Sequence, residues 1–277
     1  MSNSPVFPND SVVVDRVRRF GGVARLYGDD ALDILQHARV CIAGVGGVGS
    51  WAAEAIARSG IGQITLIDLD DIHESNINRQ IHALEHELGR AKVTVMAERI
   101  AAINPECHIV AIEDFVTMEN VAQLVTPDFD FVIDAIDSVK VKAALIAHCA
   151  QNGIAMVASG SAGGKVDPTR IRVMDLSSTE YDPLLAKVRR LLRKEYGFPK
   201  ELRRKFEIEA ISSDEPVKMP AASLSCATEP DEAGLEGLNC AGFGSSVCLT
   251  ATFGLVAAAR ALESLLMQGR ALQKPSV

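Results

Sequence analysis

An apolar run, Arg39-Val40-Cys41-Ile42-Ala43, feeds directly into Gly44-Val45-Gly46-Gly47-Val48-Gly49, and a helix-forming stretch at 50–59 follows at once. Nothing else in the chain restricts its fold as strongly. A strand that is apolar at successive positions must be covered on both faces, which is the condition of a strand inside a parallel sheet. Glycines at the strand-to-helix turn let backbone N–H groups approach a phosphate, and the helix N-terminus favours its negative charge. Gly44, Gly46 and Gly49 satisfy G-x-G-x-x-G in that context, with Gly47 inside the same loop. A second apolar run at 63–68 completes a βαβ unit. It ends on Asp68, 24 residues after Gly44, where an acidic side chain can bond a ribose hydroxyl. On these residues alone, NAD and ATP fit equally well.

The alternation of short apolar runs and helical patterns continues to about residue 160. Helices are expected at 29–37, 91–103, 118–125 and 139–152, and strands at 108–113, 131–134 and 154–159. The expected fold is α/β: a Rossmann-like, doubly wound, mostly parallel sheet. Residues 1–14 read as a flexible tail, and 15–277 as a single unit. Within it, 15–160 would form the nucleotide-binding half and 161–277 a divergent, substrate-side half. That second half opens on Gly160-Ser161-Ala162-Gly163-Gly164 and continues with a β-like run at 170–174 and a basic helix at 182–196. The stretch 197–240, with Pro199, Pro216, Pro220, Pro230 and many acidic residues, reads as a long mobile crossing loop. A buried apolar helix at about 243–267 closes the chain.

The segment after the second strand separates the two nucleotides. Asp68-Leu69-Asp70-Asp71 runs into Ser75-Asn76-Ile77-Asn78-Arg79-Gln80, and Lys92 lies just inside the following helix. A dinucleotide dehydrogenase has no use for an arginine and a lysine converging on one nucleotide pocket. An enzyme that breaks an α–β phosphate bond does, because charge builds up on the phosphates as pyrophosphate leaves. Asp134-Ala135-Ile136-Asp137-Ser138 ends the fourth strand at its carboxyl end, where such sheets place ligands. A carboxylate there can hold Mg2+ on the phosphates. Any single Arg or Lys more commonly makes an ordinary surface ion pair; the set together with the glycine loop does not read that way.

These residues carry a resemblance. G-x-G-G-x-G, L-I-D-x-D, S-N-x-N-R-Q, the later lysine and D-x-x-D-S resemble the ubiquitin-activating-like (ThiF/HesA/MoeB-type) adenylating superfamily over residues 20–160. The resemblance implies an ATP site lined by Gly44, Gly46, Gly47, Gly49, Asp68, Asp70, Asn76, Asn78, Arg79, Gln80, Lys92 and Asp137. Arg79 and Lys92 would hold the phosphates and Asp137 the magnesium ion, and these three are the expected catalytic residues. It also implies a homodimer in which an N-terminal arginine reaches the partner's ATP. The family's R-Y-x-R-Q is broken here, with Gly22 in place of the second arginine, which leaves Arg19 or Arg25 for that role.

Finer features resemble one branch, the tRNA threonylcarbamoyladenosine dehydratases: R-R-F-G-G-V-A-R-L-Y-G, N-R-Q-I-H-A-L, S-A-G-G-K-V-D-P-T, D-P-L-L-A-K-V-R and C-A-G-F-G. The activity this implies is adenylation of the carboxylate of a threonylcarbamoyl group on a tRNA adenine, followed by ring closure with loss of water. Cys240 stands where thioester-forming relatives carry their cysteine, yet intramolecular closure needs no enzyme nucleophile. The implied partners are tRNA, a second copy of the chain and a sulfur-acceptor protein of a cysteine desulfurase system. A monovalent cation (K+ or Na+) at backbone carbonyls is compatible with the same reading. The alternative within the superfamily is activation of the C-terminus of a small ubiquitin-like sulfur carrier. Those members often hold zinc through two C-x-x-C pairs; this chain has six scattered cysteines and no such pair, so no zinc is expected.

Charge bears on the acceptor. The chain carries −8 overall, which argues against non-specific coating of nucleic acid. Yet 187–205 holds nine basic residues against two acidic ones. Lys187, Arg189, Arg190, Arg193 and Lys194 form either a solvated helix face or a patch for RNA phosphates. The scattered cysteines and the lack of a signal pattern point to the cytoplasm. The uncharged stretch 237–259 is long enough for a bilayer, so peripheral membrane association stays open. Asn239, Ser245, Ser246, Thr250, Thr252 and its glycines favour instead a helix buried in a soluble core.

Overall fold

The computed structural model describes residues 14–201, 204–218 and 243–273. One seven-stranded sheet organises them, in the order β3-β2-β1-β4-β5-β7-β6. Its strands are β1 (Arg39–Ala43), β2 (Gln63–Ile67), β3 (His108–Ile112), β4 (Phe131–Asp134), β5 (Met156–Ser159), β6 (Ile171–Asp175) and β7 (Glu209–Ser213). All pairings are parallel except β6 with β7. The helices are α1 (Arg16–Tyr27), α2 (Ala31–His37), α3 (Gly49–Arg58), α4 (Lys92–Ile103), α5 (Val121–Leu124), α6 (Val139–Asn152), α7 (Pro183–Glu195) and α8 (Val247–Gln273).

The strand period of two sorts the sheet onto two cores. Val40, Ile42, Ile64 and Leu66 meet a layer made by α2, α3, α4 and α8. Cys41, Ala43 and Val132 meet α5, α6 and α7 on the other face. This two-sided burial is why β1 has no polar residue after Arg39. The strand order reverses between β1 and β4, so the carboxyl ends of these neighbours splay their connections apart and leave a crevice.

Several expectations are corrected. Residues 16–27, not assigned a helix from sequence, form α1, capped by the Asp15 carboxylate, which accepts from the Arg18 N–H. Its two adjacent glycines and five charged or polar positions hide the pattern, while Phe20 and Gly21 alone are buried. The helix expected at 118–125 is one turn, and that at 29–37 begins at Ala31. The stretch 197–240 is not all loop: β7 lies inside it, wedged between β5 and β6. Only Ala210-Ile211 advertise it amid acidic residues, and its flanking Glu209 is taken up by a two-pronged pair with Arg260, at 2.6 and 2.9 Å. The tail at 1–13 and Cys240 lie outside the described residues.

The terminal helix begins at Val247 and runs to Gln273. It is long and apolar enough to cross a membrane, but 56% of its most apolar window is buried against the rest of the chain. Its Phe253, Ala257, Ala261 and Leu265 join the core shared with α3. Gly254 permits the closest approach: a Cβ there would lie 2.4 Å from the Val48 carbonyl oxygen and 2.8 Å from Trp51 Cβ.

Candidate nucleotide-binding site

The glycine loop occupies the crevice at the switch between β1 and β4. Gly44 has φ +88°, and a Cβ on it would come within 2.9 Å of the Ala135 carbonyl oxygen. Gly49 lies against the Gly44 carbonyl, at a distance that no side chain could share. The Ala135 N–H donates to Ala43 at 2.8 Å, so the turn after β4 is laced to the loop after β1. Asp137 sits in that turn, half-buried, just before α6.

Beneath the turn is a pair that sequence reasoning missed. Lys142 Nζ lies 2.8 Å from Asp134 Oδ1, and neither side chain is exposed at all. The Lys142 ammonium also donates to the Asp134 carbonyl, and Asp134 Oδ1 accepts the Ile136 N–H at 3.1 Å. Burial pushes the Asp134 carboxyl up, and the Lys142 charge opposes it. A lysine at the fourth position of a helix gave no signal, because its target is eight residues back across a strand end.

Asp68 is buried and shapes the loop: Oδ2 accepts the Val45 N–H at 2.6 Å and Oδ1 accepts the Asp70 N–H at 2.9 Å. Burial raises its carboxyl above the ordinary range, opposed by the nearby Lys92 charge. Lys92 is the first residue of α4, and its buried Nζ pairs with the exposed Asp70 carboxylate at 2.6 Å. An ammonium has three donors, so two remain for a ligand.

The S-N-x-N-R-Q segment has divided duties. Asn76 is buried and its Oδ1 caps a short 3-10 turn by accepting the His73 N–H at 3.1 Å. Asn78 Nδ2 donates to Ser245 just ahead of α8. Arg79 lays its stem over Gly47, and its Nη1 donates to Ser75 and to Asn78 Oδ1, at 2.7 and 2.9 Å. Partial burial lowers the guanidinium's pKa. The Trp51 indole N–H fixes the Arg79 carbonyl at 2.9 Å. Gln80 is buried with its amide nitrogen toward Gly46, and its Oε1 has no partner. An orphaned buried acceptor beside a glycine loop fits a bound polar ligand. The glycine loop, Arg79, Lys92 and Asp137 all belong to the connections that leave the carboxyl ends of β1, β2 and β4, where such sheets place a ligand such as a nucleoside triphosphate. Asp137 is the carboxylate in the turn after β4 that could offer a hard oxygen to Mg2+. Among the described residues no three metal-ligating side chains cluster, so a magnesium ion here would be held as much by the phosphates as by protein.

Arg25 and Arg19 lie elsewhere. Arg19 donates to Ile103 at the end of α4, and Phe20 packs on Gly60 after α3. Both contacts lie where the chain enters β3 and β2, at the amino ends of the strands, opposite the crevice. Arg25 is exposed on the same helix and does not join the site of its own chain.

The basic helix splits as well. Leu184, Leu185, Val188 and Leu192 bury one face of α7, and the Asp182 side chain caps it by accepting the Leu185 N–H. Arg189 is partly buried and bonded to Thr179 Oγ1. Arg193 donates to the Pro199 carbonyl and stacks over the Phe206 ring at 5.0 Å. Lys187, Arg190 and Lys194 are exposed. The patch therefore has three outward cations and two that serve packing.

Residues 21–276 match the ThiF family. The chain is 50% identical to the tRNA threonylcarbamoyladenosine dehydratase of Escherichia coli (strain K12) over 251 residues, covering 90% of this chain and 94% of that protein. Its identity to the enzyme of the same name from Haemophilus influenzae is 49%, over the same shares of each chain. The crystal structure of the E. coli enzyme in complex with ATP superposes with a TM-score of 0.83 at 48% identity, over 95% of this chain and all of that one. The same enzyme has also been solved with AMP, at the same TM-score of 0.83. The chain belongs to the ThiF family and, within it, to the tRNA threonylcarbamoyladenosine dehydratases.

Proposed function

We propose that this protein uses ATP to adenylate the carboxylate of threonylcarbamoyladenosine in tRNA and closes the side chain into a ring, with net loss of water. The observation that carries the reading is the crevice between β1 and β4. The glycine loop and the connections that carry Arg79, Lys92 and Asp137 all leave the carboxyl ends of neighbouring strands there, which supports a triphosphate held between them. In the first step the substrate carboxylate attacks the α-phosphorus of ATP and pyrophosphate leaves. Arg79 and Lys92 stabilise the charge that develops on the departing phosphates. Mg2+, held in part by Asp137, supplies further charge neutralisation when bound. In the second step the carbamoyl group of the same side chain attacks the acyl-adenylate and AMP departs. Nucleophile and electrophile share one tether, so high effective molarity replaces an enzyme nucleophile, and Cys240 is assigned no obligatory role.

The outward cations Lys187, Arg190 and Lys194 would contact RNA backbone, which positions the substrate without reading its sequence. Arg25 or Arg19 could reach a nucleotide only in a second copy, which supports a homodimer with arginines acting in trans. Burial of α8 supports a cytoplasmic protein. Relatives that activate protein substrates match less of the chain: the molybdopterin-synthase adenylyltransferase of E. coli is 31% identical over 50% of it.

The test is mass spectrometry of threonylcarbamoyl-modified tRNA incubated with the protein, ATP and Mg2+. A product nucleoside lighter by one water, formed with one AMP per turnover, is expected. Unchanged RNA together with AMP formation on a small carrier protein would overturn the reading.

A further inference from the structure

Beside the crevice, toward β5 and β7, lies an open cleft of about 390 Å³ that the chemistry above does not use. Tyr181, Pro183, Ala186, Pro216 and Val217 give it apolar walls, and Arg189 adds a guanidinium. Tyr181 is 56% exposed and its backbone has φ +54°, a left-handed conformation that a bulky side chain rarely adopts. Strained residues of this kind cluster at ligand clamps. Asp182 also lines the cleft, but its carboxylate is fully engaged inward. It accepts from Ser161 and Leu185, both at 2.9 Å, and lies 4.0 Å from the buried Lys165 ammonium. The cleft's own charge is therefore cationic. Lys187 and Arg190 on the following turn of α7 extend it, with Glu180 the exposed acidic residue beside Tyr181. Through Ser161 the cleft is tied to the loop after β5, and β5 pairs with the strand that carries the Asp137 turn.

An exposed aromatic ring among prolines, edged by fixed and mobile cations, matches the chemistry of an unstacked nucleotide: a base for the ring and a phosphate for the cations. We propose that Tyr181 is a stacking platform for a nucleotide flanking the modified adenosine, and that the cleft holds this neighbour while the modified side chain enters the crevice. The inference rests on the tRNA reading above.

The experiment uses the full-length protein and an anticodon stem-loop RNA carrying 2-aminopurine in turn on each side of the modified adenosine. Binding should quench the fluorophore at one of the two positions, as stacking on tyrosine requires. Tyr181→Gly accepts the positive φ without strain and so should fold. It should abolish the quench and raise KM for the RNA about 5- to 100-fold, with KM for ATP and kcat at saturating RNA unchanged. Tyr181→Phe should behave as wild type. Wild-type quench and KM in Tyr181→Gly, or equal losses in Tyr181→Phe, would overturn the assignment. So would a carrier protein that competes for this surface in wild type and not in Tyr181→Gly. If the wild-type enzyme forms no dehydrated nucleoside at all, it is the parent reading that fails, a result separable from these.

Discussion

Replacing Lys142 by methionine should expose how the turn that carries Asp137 is held. The substitution keeps volume and removes the charge that faces Asp134 across 2.8 Å in a site with no solvent exposure. The stranded carboxylate has two courses: remain charged without a partner, at about 3–5 kcal/mol, or take up a proton. Protonating a group of ordinary pKa ~3.9 at pH 7 spans about three units, or ~4 kcal/mol, so this sets the ceiling. For a chain of this size, ~4 kcal/mol lowers Tm by roughly 8 °C. The pH dependence follows from the same sum. In the variant the folded pKa of Asp134 lies above its unfolded value, so the native state binds the extra proton and stability falls as pH rises between the two. At pH 5 the ceiling shrinks to ~1.5 kcal/mol. Chemical denaturation of both proteins at pH 7 and pH 5 should therefore show the difference narrowing on acidification. The double variant Lys142→Met/Asp134→Asn should recover most of the loss. A difference that does not change with pH would mean that Asp134 stays charged in the variant, and would refute the protonation account.

Asp137→Asn should lower AMP formation about 100- to 1,000-fold, the range for removing one group that acts on developing charge; full activity would remove Asp137 from the site. Gly254→Ala should destabilise by about 1–3 kcal/mol through overpacking on Val48 and Trp51, and it should also weaken ATP, read by nucleotide-induced shifts in Tm. The triple reversal Lys187→Glu/Arg190→Glu/Lys194→Glu should flatten the log–log salt dependence of RNA binding by about 2, with Tm unchanged; including Arg189 or Arg193 would confound the result by breaking their internal bonds. Thiol labelling of the native protein should reach Cys248 and spare Cys41, Cys107 and Cys149, whose thiols burial pushes up, to about 12 for Cys107 and Cys149; rapid native modification of those three would contradict the packing of the two cores.

The first half of the chain was largely legible because its signals are short-ranged. A five-residue apolar strand, a glycine turn and a helix announce themselves within twenty residues, and the expected strands at 131–134 and helix at 139–152 match the structure. What failed depends on partners far away in sequence. Strand β7 is only half apolar, since its neighbours β5 and β6 supply the burial that a longer apolar run would otherwise show. Helix α1 buries little more than Phe20 and Gly21, so no periodicity marks it. In the candidate site, the motifs were readable and the hydrogen bonds their side chains make were not. Asn76 and Asn78 stand in the expected motif, but their side-chain hydrogen bonds serve the turn and Ser245. Nor could spacing reveal that Arg189 and Arg193 are tied to Thr179, Pro199 and Phe206 while Lys187, Arg190 and Lys194 are exposed.

The contact of Gly254 with the Val48 carbonyl joins residues synthesised at opposite ends of the message. The phosphate loop leaves the ribosome early, long before α8. The loop's backing and the Thr250 contact to Arg79 arrive only with α8, and the Ser245 contact to Asn78 just ahead of it. Nucleotide affinity is thereby a property of the finished chain. A product interrupted before residue 247 would carry every motif of the glycine loop and still lack the surface that holds it in place, so such fragments would not compete for ATP or trap substrate RNA.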